Sequence, residues 1–523
     1  MSGNWSHAFS LSKQQVKEAE PPGTVVLIEH ENHDHIHRSP TPSRSAADPL
    51  NWPQWRKWTI LMIMSFYCGG ANFATAAVAP ALQLLQFQML PPQPLGTLSH
   101  LVAVCVLLIG VSNIIWVPLA NTFGRRPILI IAMLIGVLAS VWCGLATSFD
   151  SLLAARAIQG FGFGPADSLA ASVIGEIFFV HERGRAMAIY TIFLAGGSFV
   201  GGLGGGYIAG IQGYKYIFWI SAAIMGAIFL LNLLLVPETS FDRHAQFLRE
   251  GGSIDGSISD EKAKVEMIER ALPAQSETFT FAQSLKVGVY RGHLLRNFVA
   301  PWLTLAFPGT WVVMLHYGGL LGGLVTISII GPQFVAMPPY LWGNNAGLIN
   351  VGGLIGCALG GMFNFVVIDR VMKRQAKKES HGLAEPEIRL PMMFPALFLA
   401  TTGMWTFGFS AAHPSPHAWA GLCVGYAMVG MGITQIPSVG FNYLIDAYRP
   451  LAADCFVMTT IARAVVSFAW TFFVGDWVQS AGPALPFGIF GMIMGIFSLL
   501  TIPLWLYGKR MRIATAGFLP KDE

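Results

Sequence analysis

Long runs of apolar residues alternate with short polar connections along most of this chain. Twelve such runs, each of about 20 residues, occur as two groups of six. A helix of that length crosses the hydrocarbon core of a bilayer, so each run predicts a membrane-spanning helix. The runs lie near residues 58–83, 98–120, 127–147, 151–174, 186–210 and 215–236, then 309–333, 344–368, 390–411, 418–442, 453–476 and 484–507. The pattern predicts an all-α membrane protein in two six-helix halves.

The charges of the connections alternate from one side of the predicted bundle to the other. One set of connections, with the segments that flank the first and last runs, carries sixteen Lys and Arg, whereas the opposite set carries only Lys215. Cytosolic connections of membrane proteins are enriched in Lys and Arg, so this bias places both termini in the cytosol. The net charge of +4 arises on that side and does not indicate nucleic-acid binding.

The same boundaries divide the chain into five segments. We expect a cytosolic, disordered N-terminal tail (1–57), an N-terminal six-helix half (58–239), a cytosolic linker (240–297), a C-terminal six-helix half (298–508) and a cytosolic C-terminal tail (509–523). The charged run 260–270 within the linker favours an amphipathic helix on the inner membrane surface. Two halves joined in this way suggest a duplicated unit with a binding site between the halves.

Composition and motifs argue against an enzyme. The chain is 53% hydrophobic and 11% charged, and the predicted spans lack the His clusters of a membrane metalloenzyme. His30, His33, His35 and His37 would suit a metal if the tail were ordered, but a solvated tail is the simpler interpretation. The six Cys lie in or beside spans without paired spacing, as packing residues do. We therefore expect no metal and no cofactor, and the lack of a phosphate-binding loop favours an ion gradient over ATP as the energy source.

Short motifs at the ends of the spans resemble those of a known family. Residues 117–127 (VPLANTFGRRP), 152–160 (LLAARAIQG) and 197–206 (GSFVGGLGGG) look like three motifs of the major facilitator superfamily, in order and at the right spans. Residues 48–52, 180–184, 237–239, 385–390 and 443–448 resemble the fungal twelve-span drug:proton antiporter branch of that superfamily. The resemblance covers roughly residues 48–512 and implies the major facilitator fold.

The resemblance also implies roles for particular residues. Asn121, Gly124, Arg125 and Arg126 match a gating loop on the cytosolic side, in which the family usually has Asp where Asn121 stands. An Asn can only form hydrogen bonds, so Glu176 or Asp446 is expected to supply the acidic group of this gate. The glycines of the antiporter-like motif are Gly197, Gly201, Gly202, Gly205 and Gly206. The family usually has Pro where Gly202 stands, which weakens the implied export direction.

The residues of these motifs also have a chemistry of their own. Gly124 permits a tight turn, and Arg125 and Arg126 can reach phosphates or the carbonyls at helix C-termini, or can act simply as positive anchors. Gly197, Gly201 and Gly205 are spaced four apart, as are Gly202 and Gly206, so two helices can approach closely there. So many glycines in one span exceed what packing needs and favour a helix that bends during a conformational change.

Charged residues within the spans point to function, because a charge near the bilayer centre costs about 2.5–3.5 kcal/mol. Arg156 and Asp167 are eleven residues apart in the fourth span, so they share one face of a continuous helix and can line one cavity. A carboxylate there can bind and release a proton, so Asp167 is the leading candidate for proton coupling, with Arg156 and Glu176. Asp167 is alternatively a structural partner of Arg463 in the eleventh span.

Polar and aromatic residues in other spans are candidates for a substrate cavity. Each is alternatively an interhelical hydrogen-bonding group. Together with Arg463, the candidates are Asn72, Asn113, Trp116, His316, Tyr317, Gln435 and Asn442. The aromatic members would suit a flat, hydrophobic or cationic substrate.

These observations predict a transporter, not an enzyme. We expect a monomeric, plasma-membrane protein that exchanges protons for a small organic compound, such as a fungal metabolite or a xenobiotic. One alternative is proton-driven uptake of an organic cation such as a polyamine, because residues 180–184 also resemble yeast histidinol/polyamine-type permeases. Another is a nutrient receptor that binds a ligand without transporting it.

Overall fold

The structure is a computed structural model that describes most of the chain. It covers residues 5–19, 21–22, 24–26, 28–29, 35–36, 42–43, 45, 47–88, 92–241, 290, 292, 294–378, 383–448 and 451–519. Within these residues the fold is helical, and its four strands, β1 to β4, have two residues each. They are β1 (Val25–Val26), β2 (Ile28–Glu29), β3 (His35–Ile36) and β4 (Leu383–Ala384).

The N-terminal half follows two short helices and one 3-10 turn of the tail. The helices of the tail and of this half are α1 (Trp5–Ser10), α2 (Lys13–Glu18), α3 (Gln54–Ala76), α4 (Leu82–Gln88), α5 (Leu95–Val111), α6 (Asn113–Phe123), α7 (Arg125–Leu145), α8 (Phe149–Phe163), α9 (Pro165–Ile177), α10 (Val180–Gln212) and α11 (Lys215–Leu235). Hereafter the terminal end is the end of the bundle at which α3 begins.

The C-terminal half repeats the arrangement of long antiparallel helices. Its helices are α12 (Leu294–Leu303), α13 (Pro308–Ala336), α14 (Asn350–Lys378), α15 (Phe394–Ala412), α16 (Ala418–Ala447), α17 (Ala452–Ala481), α18 (Ala484–Leu499) and α19 (Thr501–Thr515). The 3-10 segments Gly343–Ile349 and Pro386–Met393 precede α14 and α15. The predicted linker helix at 260–270 lies outside the described residues.

Two of the predicted spans are broken near their middle. The second is divided into α5 and α6 at Ser112, and the fourth into α8 and α9 at Gly164, where Pro165 begins a new helix. The breaks pack together, because a Cβ on Gly164 would overlap the Ser112 hydroxyl. With the fourth span divided, 11 helices of the described chain are long and apolar enough to cross a membrane. The α8–α9 pair forms the fourth predicted span, which brings the total to twelve.

The two halves meet along helices that approach closely. Helix α5 packs on α17, and α10 packs on both α14 and α16. A Cβ on Gly110 of α5 would lie 2.5 Å from the carbonyl oxygen of Thr460 on α17, so a larger residue would separate the halves. Small residues therefore bring the facing helices together, as is common in membrane bundles.

Parts of the N-terminal tail differ from the disorder that its composition predicts. The Arg510 guanidinium of α19 donates hydrogen bonds to the carbonyls of Ala8 (3.2 Å) and Phe9 (3.0 Å), and Arg512 donates to that of Pro22 (2.8 Å). Strand β1 pairs with β4 in antiparallel register. These tail segments are ordered because the C-terminal half supplies partners for their backbone, which a composition-based prediction does not take into account.

Candidate functional site

A cavity lies between the two halves, beyond the middle of the bundle as seen from the terminal end. It is narrow in this conformation, with a cavity volume of about 30 Å³. Its walls are mostly apolar, with a few polar groups and one pair of opposite charges. The lining residues are Asn72, Thr75, Ala76, Ala79, Val102, Val106, Ile109, Asp167, Ser198, Leu321, Leu324, Val325, Ser328 and Arg463. Both halves contribute, as expected for a site at a repeat interface.

The charged pair in this cavity joins the halves. The Arg463 guanidinium on α17 donates a hydrogen bond from Nη2 to Oδ2 of Asp167 on α9. The exposed fraction is only 2% for Asp167 and 3% for Arg463. In such a low-dielectric site each charge depends on the other, because an unpaired buried charge is costly. The pairing that the sequence left as an alternative for Asp167 is therefore present.

Asp167 has further partners that stabilise its negative charge. Its Oδ1 accepts hydrogen bonds from the Cys68 thiol (3.3 Å) and the Asn72 side-chain amide (3.5 Å). Its position in the first turn of α9 places the carboxylate near the positive end of the helix dipole. The Tyr190 hydroxyl donates to the Asp167 carbonyl (3.1 Å) and helps to hold the start of α9.

Arg463 is less completely satisfied than its partner. Its guanidinium lies over the Tyr317 ring, 5.2 Å from the ring centroid. Within the described residues its Nε has no hydrogen-bond acceptor, and the bond to Asp167 is the one recorded for the whole side chain. Since a guanidinium carries several N–H donors, Arg463 keeps donors to spare at the cavity wall.

Arg156 does not line this cavity, contrary to the expectation from spacing. Arg156 and Asp167 nevertheless both face α3, because Asp167 accepts hydrogen bonds from Cys68 and Asn72 of that helix and Arg156 donates to carbonyls near its C-terminus. The fully buried guanidinium instead donates to the carbonyls of Ala74 (3.0 Å), Thr75 (3.1 Å) and Leu101 (3.0 Å). Arg156 therefore ties α8 to α5 and to the C-terminal end of α3.

A second polar cluster surrounds the gating loop at the terminal end. Gly124 has a φ of 98°, a value that favours glycine, and it separates α6 from α7. Arg125 pairs with Glu176 (2.9 Å) and donates to the Asn121 side-chain carbonyl (2.5 Å). Glu176 thus supplies a carboxylate to this loop, one of the two possibilities raised by the neutral Asn121.

The start of α7 is anchored by the end of α11. The Glu238 carboxylate accepts hydrogen bonds from the backbone N–H groups of Arg125 (2.9 Å) and Arg126 (3.1 Å), which satisfies two donors at a helix N-terminus. The Arg126 side chain donates to the Leu233 carbonyl (2.8 Å), near the C-terminus of α11. The loop around Gly124 is therefore held by Glu176 of α9 and by Glu238, which follows α11.

Another ion pair joins the halves at the terminal end. Arg183 at the start of α10 contacts Asp446 at the end of α16 (2.8 Å), and Arg389 of the C-terminal half contacts the same carboxylate (3.1 Å). Arg183 also donates to the Gly175 carbonyl (3.1 Å). Asp446 therefore belongs to this inter-half network and not to the Arg125 cluster.

The sequence analysis missed Asp454 as a candidate. It lies in the first turn of α17, with an exposed fraction of 3%, and Arg125 of the other half acts on it electrostatically. A signal was available, because Asp454 is an acidic residue just inside the eleventh predicted span. Cys68, Tyr190 and Ser198 were also missed; their residue types are common in spans, and only the fold brings them near Asp167.

The glycine-rich motif of α10 serves close packing in this conformation. Side chains at Gly197 and Gly205 would overlap the backbone of the N-terminal span at Gly69 and Ala77, and a Cβ on Gly201 would lie 2.6 Å from the Phe73 carbonyl. Gly202 faces the other half, where a Cβ would meet the Asn350 side chain at 2.7 Å. Gly206 follows one turn after Gly202.

Most of the softer candidates form interhelical contacts away from the cavity. Asn113 accepts a hydrogen bond from Ser168, and Trp116 donates to the Phe161 carbonyl (2.8 Å). His316 bonds to the Phe497 carbonyl (2.7 Å). Only Asn72 and Arg463 of the predicted set line the cavity, with Tyr317 behind Arg463.

Gln435 and Asn442 are buried on α16 outside the lining of the cavity. The Asn442 amide donates to the Ser438 carbonyl of its own helix (2.7 Å), whereas neither amide atom of Gln435 has a hydrogen-bond partner in the described part of the chain. Of His30, His33, His35 and His37, the structure describes His35 alone, in β3. The described residues contain no group of three or more His, Cys, Asp or Glu arranged to hold a metal ion.

Comparison with known proteins decides the family. A family model for the Major Facilitator Superfamily matches residues 59–453, most of the chain. The chain belongs to the major facilitator superfamily. It is therefore a multi-pass membrane transporter with the twelve-helix major facilitator fold, and not an enzyme.

Relatives in fungi and a solved bacterial structure agree with this assignment. "Efflux pump radE" of Floropilus chiversii is 26% identical, over 89% of this chain and 83% of its own length. The "Ascochitine biosynthesis cluster MFS transporter" of Didymella fabae is 23% identical, over 91% of this chain and 88% of its own. The proton:xylose symporter XylE of E. coli has a TM-score of 0.59 at 15% identity, over 87% of this chain and 96% of its own, and so shows the fold.

Proposed function

We propose that this protein is a proton-coupled exporter of small organic compounds in a fungal plasma membrane, with both termini in the cytosol. Fungal relatives carry names that describe an efflux pump and a transporter of a biosynthesis cluster. The observation that carries the coupling mechanism is the Asp167–Arg463 ion pair, which joins the halves at the wall of the cavity. The bias of Lys and Arg toward one side supports the orientation.

The pair provides a means for a proton to act on the contact between the halves. A proton that binds Asp167 removes its negative charge, and with it the ionic attraction that holds Arg463. Alternating access requires the two halves to move relative to each other. Because Asp167 and Arg463 belong to different halves, protonation of Asp167 weakens a contact that this movement must break. Arg463 then carries an unbalanced charge, which favours a rearrangement of the cavity wall.

The terminal end is closed in this conformation by Arg183, Asp446 and Arg389. Alternating access requires that these contacts separate when the cavity opens toward the cytosol. Arg125, Asn121 and Glu176 lie at the same end, so we assign them to the gate and not to proton transfer. Arg156 is assigned to holding the helix ends around the cavity, and the glycines of α10 to close sliding contacts.

Metabolite profiles of a deletion strain test the direction of transport. If the protein exports, cells without the gene retain one or more small organic compounds, and the intracellular-to-extracellular ratio rises; a protonophore has the same effect on wild-type cells. Uptake predicts instead that a compound stays in the medium of the deletion strain. A non-transporting receptor predicts unchanged ratios, and either of these two results would contradict the proposal.

A further inference from the structure

We infer that the cavity selects uncharged, amphipathic molecules that present a hydrogen-bond acceptor, such as a carbonyl oxygen, to Arg463. This inference rests on the proposed transport function and specifies the substrate class of the same site. It follows from the charge balance of the cavity and from the unequal satisfaction of its two charged residues.

The first step concerns charge. Asp167 and Arg463 are the charged residues among those that line the cavity, and their charges cancel while they are paired. The remaining walls are aliphatic side chains with a few neutral polar groups. A cation or an anion bound here would bring a charge for which the lining provides no counter-ion, and burying an uncompensated charge is costly.

The second step concerns the donors and acceptors that are left over. Asp167 accepts bonds from Arg463, Cys68 and Asn72, so its oxygens are already occupied. Arg463 is the opposite case, since its Nε has no acceptor among the described residues and its one recorded hydrogen bond goes to Asp167. The pair therefore offers donors and few acceptors, which favours a ligand oxygen over a ligand ammonium group.

The third step concerns the body of the ligand. Leu321, Leu324, Val325 and Val106 provide apolar surface around the pair, so a molecule with a hydrophobic body and one acceptor satisfies both parts of the lining. Such a ligand occupies the spare donors while Asp167 remains on Nη2. A proton on Asp167 frees Arg463 to move, which displaces the ligand and lets proton binding and ligand release alternate.

Three probes of similar shape and different charge test this inference. Benzylacetone is a neutral ketone, phenylbutyrate is an anion at neutral pH, and phenylbutylamine is a cation. We would measure tritiated benzylacetone binding to the purified full chain in nanodiscs, with the other two as unlabelled competitors. The expected result is saturable binding of the ketone, with the charged probes at least about tenfold weaker, because each loses a matched polar contact or buries a charge.

Variants of Arg463 show whether its donors are responsible. Arg463→Met combined with Asp167→Leu keeps the site neutral and removes the spare donors without adding new ones, and it should weaken ketone binding about tenfold, since a charge-assisted hydrogen bond is lost. Val465→Ala is the control, because Val465 lies on the same helix with 48% of its surface exposed. Thermal unfolding of each variant shows that it is folded.

Several outcomes would overturn the inference. They are tighter binding of the amine or the carboxylate than of the ketone, absence of saturable ketone binding, and unchanged ketone binding by the folded double variant. Each is distinct from failure of the proposed function, because a protein that exports charged compounds in the strain assay would keep its function and lose only this substrate class. Conversely, a receptor without flux can still show the expected binding order.

Discussion

The two ion pairs that join the halves are built differently. At the cavity, Asp167 is held across the interface by one arginine, whose buried Nε has no acceptor among the described residues. At the terminal end, Asp446 contacts both Arg183 and Arg389. The Arg183 guanidinium also donates a hydrogen bond to the Gly175 backbone carbonyl. The first is a single ionic contact next to a cavity, whereas the second keeps one arginine on the carboxylate when the other leaves.

We therefore expect the Asp167–Arg463 contact to act as a switch and the Asp446 contacts to hold the terminal end closed. A contact with a single ionic partner and an adjacent cavity responds to small changes in its occupants. A contact with several partners persists until the whole interface moves, because removing one partner leaves another in place. Two substitutions test this distinction directly and two test the structure around the pairs, and all four are ordered by the size of the effect that we expect.

The largest effect is expected from Asp167→Asn. The amide cannot carry the negative charge that holds Arg463, nor can it cycle a proton, so proton-driven export should fall to the level of the deletion strain. Exchange of substrate down its gradient should persist, because the cavity remains. Asp150→Asn, at the exposed start of α8, is the matched control and should export normally. Export by Asp167→Asn with unchanged pH dependence would remove Asp167 from the coupling step.

The second effect is on stability. Arg156→Gln should lower the free energy of unfolding by about 3 kcal/mol, because the buried carbonyls of Ala74, Thr75 and Leu101 lose a common donor. Thermal unfolding in detergent measures this change, and export should fall in proportion to the amount of folded protein. If the variant were fully stable and yet inactive, Arg156 would belong with Asp167 in the transport step, as its place in the second family motif suggests.

The third effect is partial opening of the terminal end. Arg183→Gln leaves Arg389 on Asp446, so we expect the closed state to be weakened but not lost. A cysteine that replaces the buried Ser438 should react roughly tenfold faster with an impermeant maleimide applied from the terminal side. Arg296→Gln, at an exposed position in the first turn of α12, is the control. A rate for Arg183→Gln that matches the control would mean that this pair does not hold the end closed.

Sequence patterns predicted the fold better than the site. The apolar runs predicted the twelve-helix fold, because the requirements of a bilayer act on every residue of a span. Within the fourth span, Asp167 lines the cavity but Arg156 does not, because carbonyls at the end of α3 and in α5 take up the Arg156 guanidinium. The partners of Arg156 include backbone carbonyls, which have no sequence signature, and the second arginine that contacts Asp446 comes from a 3-10 segment 57 residues away.

The smallest effect concerns the tail at the terminal end and depends on pH. Burial raises the pKa of the Glu385 carboxyl, but Arg512 and Lys509 outweigh that effect and hold the pKa below its ordinary value. A carboxyl with a lowered pKa stabilises the fold above its unfolded pKa, and this contribution is lost as pH falls through the folded value. Glu385 accepts a hydrogen bond from Thr24 (3.0 Å), next to the β1–β4 pairing.

Protection of β1 amides from hydrogen exchange, corrected for intrinsic rates, should therefore persist at neutral pH and decrease in acid. The Glu385→Gln variant should show weaker protection without this acid transition. Protection that rises on acidification would contradict the docking of the tail that we describe. The Asp167–Arg463 pair should be unaffected by this change, since the tail lies at the terminal end, where Arg183 and Asp446 meet.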